Sequence, residues 1–206
     1  MTALKKRVAV LISGRGSNMA SLIEAARDKT YPAKIILVIS NKEDAAGLSL
    51  AKSHGIEAIA ISHKSFPDRE AHDAAINAAL EAAGAELVCL AGYMRIMTPG
   101  LIGKWAGKMI NIHPSLLPAL PGLHTHERAL QAGAAEHGCT VHFVTAGVDE
   151  GPVISQASVP VLPGDTAQTL GARVLAEEHK LYPAALRLVA EGRVRMEDVH
   201  SVLSGG

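Results

Sequence analysis

The sequence predicts an α/β protein, a mostly parallel twisted sheet of about seven strands with helices on both faces. Three observations predict it. Short apolar runs rich in Val, Ile and Leu alternate with Ala-rich stretches of helical period, in the order βαβαβαβ over the first 92 residues. The first run leads through a Gly-x-Gly turn straight into a helical pattern, VAVLISGRGSNMASLIEAA. The 206 residues are 48% hydrophobic and 19% charged, enough apolar material for a buried sheet in an ordinary globular chain.

The elements follow in order. Strands are expected at 8–12 (VAVLI), 35–39 (IILVI), 57–61 (EAIAI) and 86–92 (ELVCLAG), and the first three are followed by the helical stretches SNMASLIEAARDK, DAAGLSLAKSHG and REAHDAAINAALEAAG. Crossovers between parallel strands should be right-handed. Pro99-Gly100 breaks the alternation; beyond it lie a strand at 108–112 (KMINI), a Pro-rich loop, a short helix near HERALQAG, and strands at 140–144 (TVHFV) and 153–162 (VISQASVPVL). The last helix should run from about Asp165, its expected N-cap, to about Glu191, with a kink or break at Pro183. No repeat, low-complexity tract or charged linker divides the chain, so one domain ending in a frayed SVLSGG tail is expected.

Composition excludes several functions. Twenty Lys plus Arg balance twenty Asp plus Glu, leaving no basic face for a nucleic-acid backbone. One Trp, three Tyr and two Phe are too few for a base-stacking platform. Cys89 and Cys139 both sit inside apolar runs and read as buried thiols. The N-terminal LKKRVAVLIS has too short an apolar run for a signal peptide, and no run is long enough to span a bilayer, so a cytoplasmic location with no membrane partner is expected.

Two constellations carry chemistry. Gly14 and Gly16 allow a tight turn whose following helix points its N–H groups at an anion, with Ser17 and Asn18 as caps and phosphate donors. The dinucleotide fingerprint fails, because Met19 stands at the third glycine position and Ser40-Asn41 where a ribose-binding acid belongs. No Gly-Lys-Ser/Thr follows either, so a single terminal phosphate fits best, with a plain β-to-α turn as the alternative. In KMINIH, residues two apart share a face, so Asn111 and His113 project together, away from Ile110 and Ile112. Pro114 holds His113 extended. An amide beside an imidazole can stabilise the oxyanion of a reacting carbonyl and move a proton. A carboxylate partner is available in Asp149, in a Gly-containing loop between two strands, although spacing alone leaves open that it only shapes a turn. His124, His126, His137 and His142 raise a metal alternative, but no His-Glu-x-x-His or paired-Cys spacing supports one, and no metal is expected.

VLISGRGSN, LAGYMRIMTP, INIHPSLLPALPGLHTH, VHFVTAGVDEGPVISQ and EEHKLYP, in this order over nearly the whole chain, closely resemble the phosphoribosylglycinamide formyltransferase family of folate-dependent formyltransferases. HPSLLP alone marks the wider formyltransferase group; GRGSN and the short chain select the ribonucleotide branch. The resemblance implies a Rossmann-like formyltransferase fold. It implies a ribonucleotide-binding half at about 1–100 and a catalytic, folate-binding half at about 101–206. The implied reaction moves the formyl group of 10-formyltetrahydrofolate to the amine of glycinamide ribonucleotide, in de novo purine synthesis. By motif, Asn111, His113 and Asp149 resemble the catalytic trio. Gly16, Ser17, Asn18 and Glu178 resemble the ribonucleotide site. Arg69, Met94, Arg95, Ile96, Met97, Ala146, Gly147, Val148 and Asp149 resemble the folate site. The implied partners are small molecules, with a monomer or homodimer as the working unit. The rivals are a 10-formyltetrahydrofolate hydrolase, an aminoacyl-tRNA formylase, a non-catalytic nucleotide or folate binder, and a nicotinamide dehydrogenase. The neutral charge opposes the tRNA enzyme, Met19 the dehydrogenase, and the joint presence of Asn111, His113 and Asp149 the inert binder.

Overall fold

The computed structural model describes residues 4–198, so the SVLSGG tail lies outside the described residues. Its strands are β1 (Lys6–Ile12), β2 (Ala33–Ser40), β3 (Glu57–Ala60), β4 (Leu87–Leu90), β5 (Met109–His113), β6 (Glu136–Phe143) and β7 (Val153–Pro160). They form one seven-stranded sheet in the order β3-β2-β1-β4-β5-β6-β7. The first five pair with one another in parallel, whereas β6 runs antiparallel to both β5 and β7. That is the mostly parallel sheet expected from the alternation of runs.

Strand residues sort strictly by parity. Val8, Val10 and Ile12 of β1 join Cys89, Ile110 and Ile112 on one face, against Met19 and Leu22 of α1 (Ser17–Ala26), Leu48 of α2 (Ala46–Ser53) and Tyr182 and Leu186 of α6 (Ala167–Ala190). Ala9, Leu11, Leu37 and Val88 face the other way, against Ile76 and Leu80 of α3 (Arg69–Ala82) and Leu101 and Trp105 at α4 (Pro99–Lys104). A third cluster seats α5 (Thr125–Gln131) by Ala129 on Cys139, Val159, Leu170 and Val174. Burial of each large aliphatic side chain contributes about 1.5–3 kcal/mol, so both sheet faces are committed to their helices.

The helix boundaries depart from expectation in three places. Pro99-Gly100 opens α4 rather than ending order, because Pro suits the first helical turn and the Thr98 side chain caps it by accepting from Leu101 N. Pro183 does not break α6, which runs unbroken through 24 residues. Fixation on both sides offsets the roughly 3 kcal/mol proline cost: Tyr182 donates to the carbonyls of Leu90 and Ile110, and the Pro183 carbonyl accepts from the Tyr31 hydroxyl at 2.7 Å. The N-cap of α6 is Thr166, in a capping box with Thr169, and not Asp165. Asp165 is spent on the Leu162 amide and on a two-point bond to Arg173 at 2.7 and 2.9 Å.

From β1 the chain moves outward to β2 and β3, and from β4 it moves the other way to β5. The carboxyl ends of β1 and β4 therefore flank the switch point, where open α/β sheets form their crevice. Gly16 follows β1 at that edge, residues 91–98 follow β4, and His113 ends β5 beside them.

Candidate active site

The end of β5 is presented rigidly. Ile110 and Ile112 are buried in the core, while His113 is only 5% exposed and Asn111 half-buried on the opposite face, as the alternation required. The Pro-rich segment beyond is braced by side chains. Thr140 Oγ donates to the Ser115 carbonyl at 2.7 Å and accepts from Leu117 N, Gln156 donates to the Leu117 carbonyl, Thr125 to that of Pro114, and Ser115 to that of Ala119. These bonds replace the amide donors that Pro114, Pro118 and Pro121 lack.

Asp149 reaches the strand end. Its Oδ2 lies 3.2 Å from His113 Nδ1 and accepts from the Gly122 amide at 2.9 Å, and its Oδ1 is 3.6 Å from His142 Nε2. The turn after β6 places Asp149 at a positive φ of 56°, a conformation that short polar side chains tolerate. The other nitrogen of His113, Nε2, lies 3.0 Å from the Leu120 carbonyl. Both ring nitrogens thus face acceptors, an arrangement that only the imidazolium satisfies fully. Burial works against that charge. It is the largest influence and draws His113 below its ordinary pKa, opposed by the Leu120 carbonyl and by Asp149. Burial, the largest influence, pushes Asp149 up, but the neighbouring His142 ring, the bond from the Gly122 amide and the His113 imidazole together outweigh it, leaving the carboxyl below its usual range. The pair is therefore poised: an ionised carboxylate holds an imidazole whose proton is readily given up.

Asn111 completes the group through His142, its cross-strand partner on β6. Asn111 Nδ2 lies 3.2 Å from His142 Nε2, and His142 Nδ1 lies 2.9 Å from the Phe143 carbonyl. His142 was legible in TVHFV only as one more histidine in an apolar run. What would have singled it out is its place opposite Asn111, which follows only from pairing β5 with β6. The Leu120 carbonyl could not be found from residue types at all.

The Gly-x-Gly turn supplies a second feature. Gly16 has φ 75°, no side chain caps α1, and its first turn holds no acidic residue, so nothing competes with an anion for the helix N-terminus. Asn18 donates to Glu178 of α6 at 2.6 Å, while Asn18 Oδ1 is buried without a partner. Burial raises the Glu178 pKa, and the Asn18 bond lowers it in part. The structure thus brings Asn18 and Glu178 together across 160 positions. Ser17 stands half-buried at the helix start.

The 91–98 segment is tied to the same edge, since Met94 N donates to Ser13 Oγ, which in turn donates to Asn41 Oδ1. Met94 and Ile96 are 63% and 61% exposed, and Val148 and Leu123 are 53% and 62% exposed, large apolar side chains left open to solvent on three loops. Met97 differs: it is buried in the α3/α4 cluster, so its side chain faces away from solvent. Arg95 is half-buried, and its Nε has no partner. Ala146 is exposed and Gly147 half-buried in the loop that carries Asp149, while Arg69 is exposed at the start of α3. Among the described residues no three His, Cys, Asp or Glu side chains are grouped to hold a metal ion. Nor is any described helix long and apolar enough to cross a membrane.

Residues 6–186 match the family described as formyl transferase. The chain is 43% identical over 198 residues to the phosphoribosylglycinamide formyltransferase of Escherichia coli (strain K12), covering 96% of this chain and 93% of that protein. It is 52% identical over 193 residues to the trifunctional purine biosynthetic protein adenosine-3 of Drosophila pseudoobscura pseudoobscura; there the match takes in 93% of this chain but only 14% of the longer protein. The fold superposes on the crystal structure of glycinamide ribonucleotide transformylase 1 from Symbiobacterium toebii with a TM-score of 0.93 at 48% identity, covering 96% of this chain and 93% of that one.

Proposed function

The chain belongs to the formyl transferase family, and from that premise we propose that it moves the formyl group of 10-formyltetrahydrofolate to the amine of glycinamide ribonucleotide. The products are formylglycinamide ribonucleotide and tetrahydrofolate, and the setting is de novo purine (IMP) synthesis in the cytoplasm. The observation that carries this reading is the convergence of the Asn111 amide and the His113 imidazole at one braced strand end, with Asp149 3.2 Å behind the imidazole.

In this reading the substrate amine attacks the formyl carbon, and the carbonyl oxygen takes up the negative charge. Asn111 and protonated His113 donate to that oxygen. The Nε2 hydrogen of His113 rests on the Leu120 carbonyl, so a substrate oxygen reaches it by sharing or displacing that bond. Collapse of the tetrahedral intermediate breaks the bond from the formyl carbon to the folate nitrogen. The proton lost by the attacking amine passes by way of water at the Asp149 carboxylate to the leaving nitrogen, while His113 keeps both of its ring protons. No metal or covalent enzyme intermediate enters the scheme.

The substrates fit features outside the trio. A terminal phosphate suits the uncapped start of α1 at Gly16, Ser17 and Asn18, and Glu178 with the free Asn18 Oδ1 suits the hydroxyls or amide of the ribonucleotide. A flat heterocycle suits the exposed apolar side chains of Met94, Ile96 and Val148, with backbone groups of Met97 and of Ala146, Gly147 and Asp149 as polar anchors. Arg95, through its unpartnered Nε, and exposed Arg69 suit carboxylates on the same ligand. All these groups come from one chain, so a monomer or a homodimer would serve, and the balanced charge offers nucleic acid no foothold.

The test is to incubate the purified protein with 10-formyltetrahydrofolate, with and without glycinamide ribonucleotide, and follow tetrahydrofolate and formylglycinamide ribonucleotide together. Formation of both only when the ribonucleotide is present is expected. Equal folate consumption without it would identify a hydrolase and overturn the transferase reading.

A further inference from the structure

We propose that His142 is the positioning residue that sets the orientation of the Asn111 amide, acting as a neutral imidazole whose Nε2 lone pair accepts from Asn111 Nδ2. The placement is built rather than incidental. His142 is 3% exposed, directly opposite Asn111 across the β5–β6 pair, and sits at a register shift where β6 meets β7. Gly151, just before β7, packs against the same turn: a Cβ there would overlap the Phe143 carbonyl oxygen and approach His142 Nδ1, so only glycine lets the chain pass this close.

The tautomer follows from the partners. Nδ1 lies 2.9 Å from the Phe143 carbonyl, which only accepts, so Nδ1 carries the hydrogen. A neutral ring then offers a lone pair at Nε2. The group 3.2 Å away must be a donor, and it is the NH2 end of Asn111. An asparagine amide can otherwise turn end for end at little cost, presenting either a donor or an acceptor to a substrate. With one N–H consumed by His142, the other is aimed, and the carbonyl end cannot replace it without setting two lone pairs against each other. Asp149 Oδ1 lies farther from the same Nε2, at 3.6 Å and beyond hydrogen-bond reach, so Asn111 is its nearer partner. The Asp149 carboxylate therefore remains free to serve His113 rather than His142.

The functional consequence rests on the formyl-transfer reading, in which Asn111 must donate to the oxyanion. An interaction needed only in the transition state shows in kcat rather than in KM. His142→Asn keeps a donor for the Phe143 carbonyl but removes the acceptor for Asn111, whereas the longer His142→Gln can present its amide oxygen at the Nε2 position. The expected result is a kcat reduced by about tenfold to a hundredfold for the Asn variant, with KM for both substrates within about twofold, and a loss under about fivefold for the Gln variant. In an Asn111→Ala background, His142→Asn should cost little more.

The deciding experiment pairs this kinetic comparison with 15N NMR of the histidine rings in the wild-type protein, assigned by the loss of one ring in His142→Gln. A neutral His142 with protonated Nδ1 and unprotonated Nε2 at pH 7.5 is expected, whether or not the protein turns over. Protonated Nε2 overturns the proposal, and so do equal kcat losses in the Asn and Gln variants or a loss confined to KM. Absence of wild-type transfer would instead count against the proposed reaction, and the ring resonances would still decide the tautomer.

Discussion

Asp149→Asn isolates the charge behind His113 from its shape. Asparagine tolerates the positive φ of 56° at this position, and its carbonyl can still accept the Gly122 amide, so the loop keeps its geometry. What disappears is a full negative charge 3.2 Å from His113 Nδ1. Coulomb's law at an effective dielectric constant of about 20 gives about 5 kcal/mol for that separation, and the cost of burying both groups reduces it. A carboxylate this close usually shifts its partner by about one to three pKa units. Burial already draws His113 down and Asp149 is one of the groups holding it up, so the variant imidazole loses its proton at still lower pH. At pH 7 the protonated fraction, and with it kcat, should fall by about tenfold to a thousandfold with KM nearly unchanged. The arm of the kcat–pH profile on which activity declines as His113 deprotonates should move by the same one to three units to lower pH. Single-turnover formation of tetrahydrofolate from the ternary mixture between pH 5 and 9 reads both effects. A variant that keeps more than about a third of the wild-type rate, or whose pH arm does not move, would refute the role given to Asp149.

Three other outcomes are expected. Gly16→Ala forces a left-handed residue and sets its Cβ 2.9 Å from Met19 Cε and 3.2 Å from Gly47 Cα; it should lower stability by about 1–2 kcal/mol in urea unfolding and raise KM for the ribonucleotide about tenfold, sparing KM for the folate. His137 is drawn to about 4, by burial first and His126 second, against about 6.5 in an unfolded chain. The unfolded chain binds the extra proton between those values, so stability is intact above about pH 6.5 and falls by up to about 3 kcal/mol towards pH 4; His137→Gln should flatten that decline in urea titrations run at each pH. Gly151→Ala, by driving a methyl into the Phe143 carbonyl, should destabilise the protein by more than about 3 kcal/mol and lower its thermal midpoint accordingly.

Much of the architecture was legible because strand parity and helical period are local properties. With Ile110 and Ile112 facing the core, strand parity alone sets where Asn111 and His113 point. Local reading failed where tertiary contacts overrode propensity. Pro183 lies inside a helix because Tyr31 and Tyr182 anchor the turn around it. Pro99 begins a helix because a proline at the first turn and one that stops a run look alike in sequence. The approach of Asp149 to His113 depended on β6 turning back antiparallel, which no spacing encodes. His142 escaped notice for the same reason: its significance is a cross-strand relation, and its neighbours in TVHFV suggested only packing. Asn41, read as a missing ribose acid, is occupied by Ser13, which fixes the 91–98 segment instead.

The proposed role of the braced strand end is to present Asn111 and His113 to a single developing oxyanion. It is tested most directly by the kcat of Asn111→Ala, His113→Ala and the double variant in ribonucleotide-dependent formyl transfer. Each single change is expected to cost about a hundredfold to a thousandfold, and the double change far less than the product of the two, because the groups serve the same charge. A double loss equal to that product would mean that the two residues act at separate steps, and would contradict the account.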